Sequence, residues 1–347
     1  MKKIIFHTTS FNTFWAHYFF ITDPVFIEIM QTRGYYIEYS NNSTVEKDDY
    51  ILYLEVKSLG KFNYIFPYLN TYNKFKFLIK SLLSINNKKI FKTAYKNISI
   101  LLILESQLEA PENHVVNIEK YCNRVLTWND NLVNNTNILK SFIPQPLFWE
   151  SYKKISFYDK KLLVNISGNK ISNNKLELYT KRQEVISFFE KKLPENFDLF
   201  GIGWNEKQTI FEKIGLTKLR KFKSYRGIAK NKSEIYSKYK FGLIFENSIV
   251  KGYISEKIFD CMRSGCVPIY LGAPNIEEYV DRNTFISYNN FNSNEELLNY
   301  LSQISESEYE NYLKNIQQYL DSDLFDLFTV KNYANLIADT FDNIIIP

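Results

Sequence analysis

Along this chain, short runs of β-branched and aromatic residues alternate with longer stretches that mix apolar and polar positions. Residues 3–7, 35–39, 50–54, 98–104 and 124–128 read as strands, and 24–33 as a helix whose first turn accepts Pro24. Residues 66–83 mix apolar and lysine positions and predict one or two helices; 116–122 predict another. Segment 98–104, ISILLIL, is apolar at nearly every position rather than every second one. That is the pattern of a strand covered on both faces, as in a parallel sheet. Strands separated by helical stretches imply βαβ units.

Residues 141–156 interrupt the alternation. Pro144, Pro146 and Trp149 stand among polar residues without a clear period, which predicts an interdomain linker. A second alternation follows: strand 162–167, helix 176–190, strands 198–201 and 241–245, helix 255–264, strand 267–271, and a helix from Pro274. Helices are also expected at 295–304, 308–320 and 330–342, and the Asn-rich 289–294 as a loop. The expected organisation is two α/β domains, 1–150 and 151–347, with the C-terminal helix a candidate to pack back on the first. In open α/β sheets ligands sit beyond the carboxyl ends of strands. The loops after Leu104, Phe245 and Leu271 are therefore the places for a site.

Composition narrows the function classes. Across 347 residues, 45% are hydrophobic, enough for substantial cores, and the net charge is +5. No dense Lys/Arg stripe with base-reading signatures occurs, which argues against a nucleic-acid partner. The mild charge fits an anionic ligand or peripheral contact with an acidic membrane surface. Cys122, Cys261 and Cys266 are odd in number and poorly spaced for zinc. They read as small buried hydrophobes in a reducing compartment. With only His7, His17 and His114, a histidine metal site or catalytic triad is not expected. No segment has the length and apolarity of a membrane span, and the N-terminal Lys2-Lys3 opening lacks a small-residue cleavage site. The expectation is a cytoplasmic protein, soluble or membrane-peripheral.

The chemistry concentrates in residues 240–276, KFGLIFENSIVKGYISEKIFDCMRSGCVPIYLGAPNI. Ser255 suits the N-cap of the helix that follows. Lys257 then falls in the first turn, where a cation opposes the helix dipole, so it implies a purpose of its own. Lys257 and the free N–H groups of that turn would stabilise an anion such as a diphosphate. Glu256 can accept from both hydroxyls of a ribose, and Asn247 offers amide donors and acceptors. Tyr253 can pack on a sugar or base, and Gly252 permits close backbone approach. Elsewhere, Gly201-Ile202-Gly203-Trp204 is too short for a dinucleotide fingerprint. The basic stretch 218–232 reads either as a solvated face or as a phosphate-facing loop around Tyr225-Arg226-Gly227.

FENS-x3-GYISEK followed by GCVPIYLGAPNI resembles the donor-binding signature of the α-1,3/4-fucosyltransferases, glycosyltransferase family 10. Asp260, Gly265, Pro268, Tyr270, Gly272 and Pro274 fill further signature positions. A weaker likeness extends over 162–290. The resemblance implies a GT-B fold: two Rossmann-like domains facing across a cleft, with the donor in the C-terminal one. It implies donor contacts at Asn247, Tyr253, Glu256 (ribose) and Lys257 (diphosphate), and a diphosphate arginine at Arg182. For the general base it implies a glutamate after an N-domain strand. Glu105 in Glu105-Ser106 fits, with Gln107 where the family often has proline, and Glu109 in Glu109-Ala110-Pro111 competes. The implied reaction is inverting transfer of L-fucose from GDP-fucose to a hydroxyl of an oligosaccharide or glycoconjugate, in α-1,3/1,4 linkage to a GlcNAc-type residue. The alternatives are another NDP-sugar on the same scaffold, or a non-catalytic glycan- or nucleotide-binding module. Asp321-Ser322-Asp323 lies in a helical region rather than a metal loop, so no obligatory cofactor is expected and a divalent metal is at most stimulatory.

Overall fold

The computed structural model describes residues 1–7, 23–39, 48–54, 97–111, 122–146, 154–206 and 221–344. The helix expected at 66–83, that expected at 116–122 up to its last residue, His17, His114, residues 147–153 of the expected linker and 218–220 of the basic stretch lie outside them. The chain divides into two compact units, Met1–Leu147 with Asp326–Pro347, and Phe148–Phe325.

The first unit is built on β1 (Lys2–His7), α1 (Pro24–Thr32), β2 (Tyr35–Tyr39), β3 (Tyr50–Leu54), β4 (Ser99–Ile103), β5 (Arg124–Thr127) and β6 (Ile138–Lys140). Its sheet runs β2-β1-β3-β4-β5-β6, with every pairing parallel. All five residues of β4, Ser99 included, are buried, the outcome expected of a strand apolar at nearly every position. Asp23 caps α1 by accepting from Val25 N at 2.9 Å, and Pro24 follows in the first turn, where no intrahelical partner is lost. The C-terminal helix Val330–Asp342 belongs to this unit. Its Ala334, Ile337, Ala338 and Phe341 enter one core with Phe26 and Met30 of α1 and Ile100 and Leu102 of β4. Two alanines let the helix approach closely. Beyond α1, Arg33 Nη2 pairs with Asp339 at 2.6 Å and Asp342 at 2.7 Å, and the Tyr35 hydroxyl donates to Asp342 at 2.7 Å.

The second unit carries β7 (Lys161–Ile166), α2 (Tyr179–Lys192), β8 (Phe197–Phe200), α3 (Lys232–Tyr236), β9 (Tyr239–Phe245), α4 (Glu256–Arg263), β10 (Val267–Leu271), β11 (Ile286–Ser287), α5 (Asn294–Gln303) and α6 (Glu306–Leu320). Its parallel sheet runs β11-β10-β9-β7-β8. Strand order reverses between β7 and β9, which makes that junction the switch point where an open α/β sheet leaves a crevice. Asn165 bridges it, donating from Nδ2 to Leu243 O at 2.9 Å.

The helix expected from Pro274 does not form. Ile276–Glu278 make one 3₁₀ turn, and Asp281 then accepts from Asn283 N at 2.9 Å to cap a second tight turn, Arg282–Thr284. Ile276, Val280, Thr284 and Phe285 are buried, so the apolar spacing that suggested a helix is met by two tight turns. The helix expected from 308 starts at Glu306, because Ser305 and Glu308 form a reciprocal capping box. Asn294 opens α5 rather than closing the Asn-rich loop, with Ser293 as its cap. Cys261 and Cys266 are fully buried. No described helix is long and apolar enough to cross a membrane.

Candidate functional site

The loop leaving β9 is fixed on both sides. Along one side, residues preceding α2 run antiparallel to it: Glu177 and Ser248 form a bridge, Leu178 N donates to Asn247 O at 3.0 Å, and Ile249 N donates to Leu176 O at 2.9 Å. This is why α2 begins at Tyr179 and not at 176. On the other side, Gly252, in the left-handed region at φ 80°, donates its N–H to Asn275 Oδ1 at 2.9 Å. A side chain at 252 would be strained in that conformation.

Between these supports sits Glu246, fully buried. Its carboxylate accepts from Ser255 N at 2.8 Å, Ser255 Oγ at 2.7 Å and Lys257 Nζ at 3.1 Å. Lys257 Nζ also donates to Ser255 Oγ at 2.8 Å. A buried carboxylate thus holds the cap of α4 and the ammonium of its first turn together. Two of the three Lys257 ammonium protons have partners, which leaves one for a ligand. Burial works against the charged form of Lys257, but the Glu246 and Glu256 carboxylates raise its pKa above the ordinary value and keep it a cation.

Glu256, the first residue of α4, has a half-exposed side chain, and its Oε1 lies 3.8 Å from Lys232 Nζ. Burial again opposes ionisation; Lys257 and Lys232 outweigh it and hold this carboxyl down at about 2. Lys232 Nζ also meets Asp260 Oδ2 at 2.7 Å. Asp260 is buried, and its pKa is pushed up to about 6 by burial, with Lys232 acting in the opposite direction.

Arg182, on α2, is 3% exposed. Its Nη2 donates to Phe245 O at 2.7 Å and Glu246 O at 3.0 Å, so α2 and the end of β9 are tied across the switch point. Nη1 reaches Gly168 O, after β7, at 3.4 Å. Nε is buried without a partner, as is the Ser248 hydroxyl. Desolvation lowers the Arg182 pKa, and Tyr179, Glu246 and Tyr253 oppose that shift. Tyr253 is buried rather than open to a ligand, and its carbonyl faces the Tyr270 hydroxyl at 3.4 Å. Asn247 is partly exposed.

The structure therefore brings Arg182, Asn247, Tyr253, Glu256 and Lys257 to the carboxyl end of one sheet. Glu105 lies in the first unit, partly buried just past the carboxyl end of β4. Glu109 lies in the turn after it, where Glu109 N and Ala110 N both donate to Ser106 O. Sequence reasoning assigned no role to Glu246, Lys232 or Asn275. The signal for Glu246 is an acid placed directly after the apolar strand end Phe241–Phe245. Among the described residues, no group of three or more His, Cys, Asp or Glu is arranged to hold a metal ion.

Gly272 follows β10 and abuts this network. A Cβ there would stand 2.5 Å from Glu246 Cγ and would also strike the buried Tyr270 ring. Gly272→Ala is expected to displace Glu246 and lower stability by about 1–3 kcal/mol, as overpacking does. Thermal denaturation checks it, and an unchanged Tm would mean that Glu246 is held less firmly than its contacts imply.

Comparison with known proteins agrees on the segment. Residues 164–329 match the model of "Glycosyltransferase family 10 (fucosyltransferase) C-term". An α-(1,3)-fucosyltransferase of Helicobacter pylori is 37% identical over 75 residues, 22% of this chain and 16% of that protein. An α-(1,4)-fucosyltransferase of Arabidopsis thaliana is 40% identical over 70 residues, 20% of this chain and 18% of that one. The matched stretch thus spans under a fifth of either relative. A solved α1,3-fucosyltransferase with GDP-fucose superposes over 100% of this chain and 91% of its own, with TM-score 0.56 at 15% identity. The fold is GT-B, and within it residues 164–329 of this chain are a glycosyltransferase family 10 C-terminal domain.

Proposed function

We propose that this protein is an inverting fucosyltransferase that moves L-fucose from GDP-fucose to a hydroxyl of a glycan acceptor, in α-1,3 or α-1,4 linkage to a GlcNAc-type residue. The observation that carries the reading is the Lys257 ammonium, fixed by Glu246 and Ser255 at the N-terminus of α4, beside the switch point bridged by Arg182. A diphosphate there meets an ammonium proton and the N–H groups of a helix start, with the buried Arg182 guanidinium close enough to act on the same charge. Glu256, held ionised, accepts from the ribose diol. The similar α1,3-fucosyltransferase solved with GDP-fucose supports the choice of donor.

In this mechanism the acceptor hydroxyl attacks the anomeric carbon of fucose as Glu105 takes its proton. GDP leaves from the opposite face, so the configuration inverts. Charge develops on the leaving diphosphate, and Lys257 and Arg182 stabilise it; groups aimed at developing charge in this way contribute several kcal/mol.

The test is incubation of the protein with GDP-fucose, and with other GDP- and UDP-sugars, in the presence of N-acetyllactosamine-type acceptors, with the product linkage read by NMR. GDP release and an α-fucosyl product are expected. Transfer only from another sugar nucleotide would reassign the donor, and nucleotide binding without transfer from any of them would mark a binding module.

The cationic Lys257 and Arg182 side chains occupy the role that a divalent ion has in metal-dependent transfer. Turnover with GDP-fucose is therefore expected to stay within about twofold after chelation with EDTA, since the charge stabilisation comes from side chains. A loss restored by added Mn²⁺ or Mg²⁺ would overturn metal independence.

A further inference from the structure

We propose that Lys232 is a positioning residue for nucleotide recognition: from α3 it orients the Glu256 carboxylate so that the ribose diol can be bound. The inference rests on the donor-site reading above and adds a residue outside the signature segment that carries it.

Glu256 and Asp260 are four residues apart on α4, so their carboxylates share one face of the helix. Two like charges at that spacing repel. Lys232 Nζ lies between them, 2.7 Å from Asp260 Oδ2 and 3.8 Å from Glu256 Oε1. The root of the lysine is fixed. Asn231 caps α3 by accepting from Glu234 N at 2.8 Å, and Ser233 and Tyr236 of the same helix are buried. Tyr236 packs by Gly242 of β9, where even a methyl group would come within 3.2 Å of its ring.

The two contacts differ in kind. With Asp260 the ammonium makes a hydrogen-bonded pair that anchors it. With Glu256 the separation is that of an ion pair without a hydrogen bond. The Glu256 oxygens are therefore steered but remain available to accept from a ligand. Lys257, on the same turn, is engaged with Glu246 and Ser255, so it does not replace Lys232 in this task. A carboxylate steered by one fixed ammonium is preorganised for a diol, and loss of that ammonium frees its rotamers.

The test compares binding of GDP and 2′,3′-dideoxy-GDP by calorimetry. The wild-type protein is expected to prefer GDP by about tenfold, the value of hydrogen bonds to a charged acceptor. In Lys232→Met that preference falls to within about twofold, while affinity for the dideoxy nucleotide is unchanged. Lys232→Arg restores the preference. Lys232→Met/Asp260→Asn behaves as the single variant does and covers the case in which an unpaired buried Asp260 prevents folding. A preference retained in the methionine variants overturns the positioning role and leaves Glu256 at the ribose. Equal losses for both nucleotides assign Lys232 to the fold or the phosphates and also overturn it. A wild-type protein indifferent to the diol removes the ribose reading itself.

Discussion

Lys257→Met is expected to reduce GDP-fucose turnover by about two to three orders of magnitude, the range seen when one donor to developing charge is removed, and to destabilise the protein as well. The two effects have different origins. Turnover falls because the ammonium proton left over from Glu246 and Ser255 is the one assigned to the diphosphate. Stability falls because Glu246 is fully buried, and without its cation it keeps only the two Ser255 donors. Breaking a buried pair from one side costs about 3–5 kcal/mol. Replacing both members removes the uncompensated charge, so Lys257→Met/Glu246→Gln is expected to regain most of the lost Tm while turnover stays low. Thermal denaturation and initial rates on the same preparations separate the effects. If turnover returned with stability in the double variant, Lys257 would be a support for the loop and not a phosphate ligand.

Local signals were legible wherever one short stretch decided the outcome. β4 is apolar at every position after Ser99 and is covered on both faces. The start of α1 follows from Pro24, and that of α4 from Ser255. The signature 240–276 located the loop between β9 and α4 because its chemistry is contiguous in sequence. What was hidden depends on partners distant in the chain. Lys232 meets Asp260 and Glu256 only because α3 lies beside α4. Arg182 could be placed on the helix after the first strand of its domain, but not its use as a tie between α2 and the carbonyls of Phe245 and Glu246, 63 and 64 residues away. β6 and β11 hold three and two residues, too few for alternation to show. The segment after Pro274 had helical spacing, yet the Asp281 cap divided it into two tight turns, a choice made by side-chain hydrogen bonds that the apolar pattern does not record.

Glu105→Gln tests the base. The substitution keeps size and shape and removes proton acceptance, so transfer is expected to fall by about 10²–10⁴-fold, the usual contribution of a positioned general base. GDP affinity should not change, because every residue assigned to the nucleotide lies in the second unit and Glu105 in the first. Fold should persist as well: Glu105 follows the last residue of β4 by two positions, is partly buried, and leaves the strand's pairing with β3 and β5 intact. Glu109→Gln is the control. Its backbone is held by Ser106 O in the turn that follows, and its side chain carries no assigned proton transfer, so its turnover should stay within about threefold of wild type, well short of the loss expected for a base. A large loss in Glu109→Gln with Glu105→Gln active would move the base to 109. Full activity in both would mean that neither takes the proton. The same pair of variants measured with GDP alone isolates binding from chemistry, since a residue that only shaped the fold would weaken both, and a base weakens only the second.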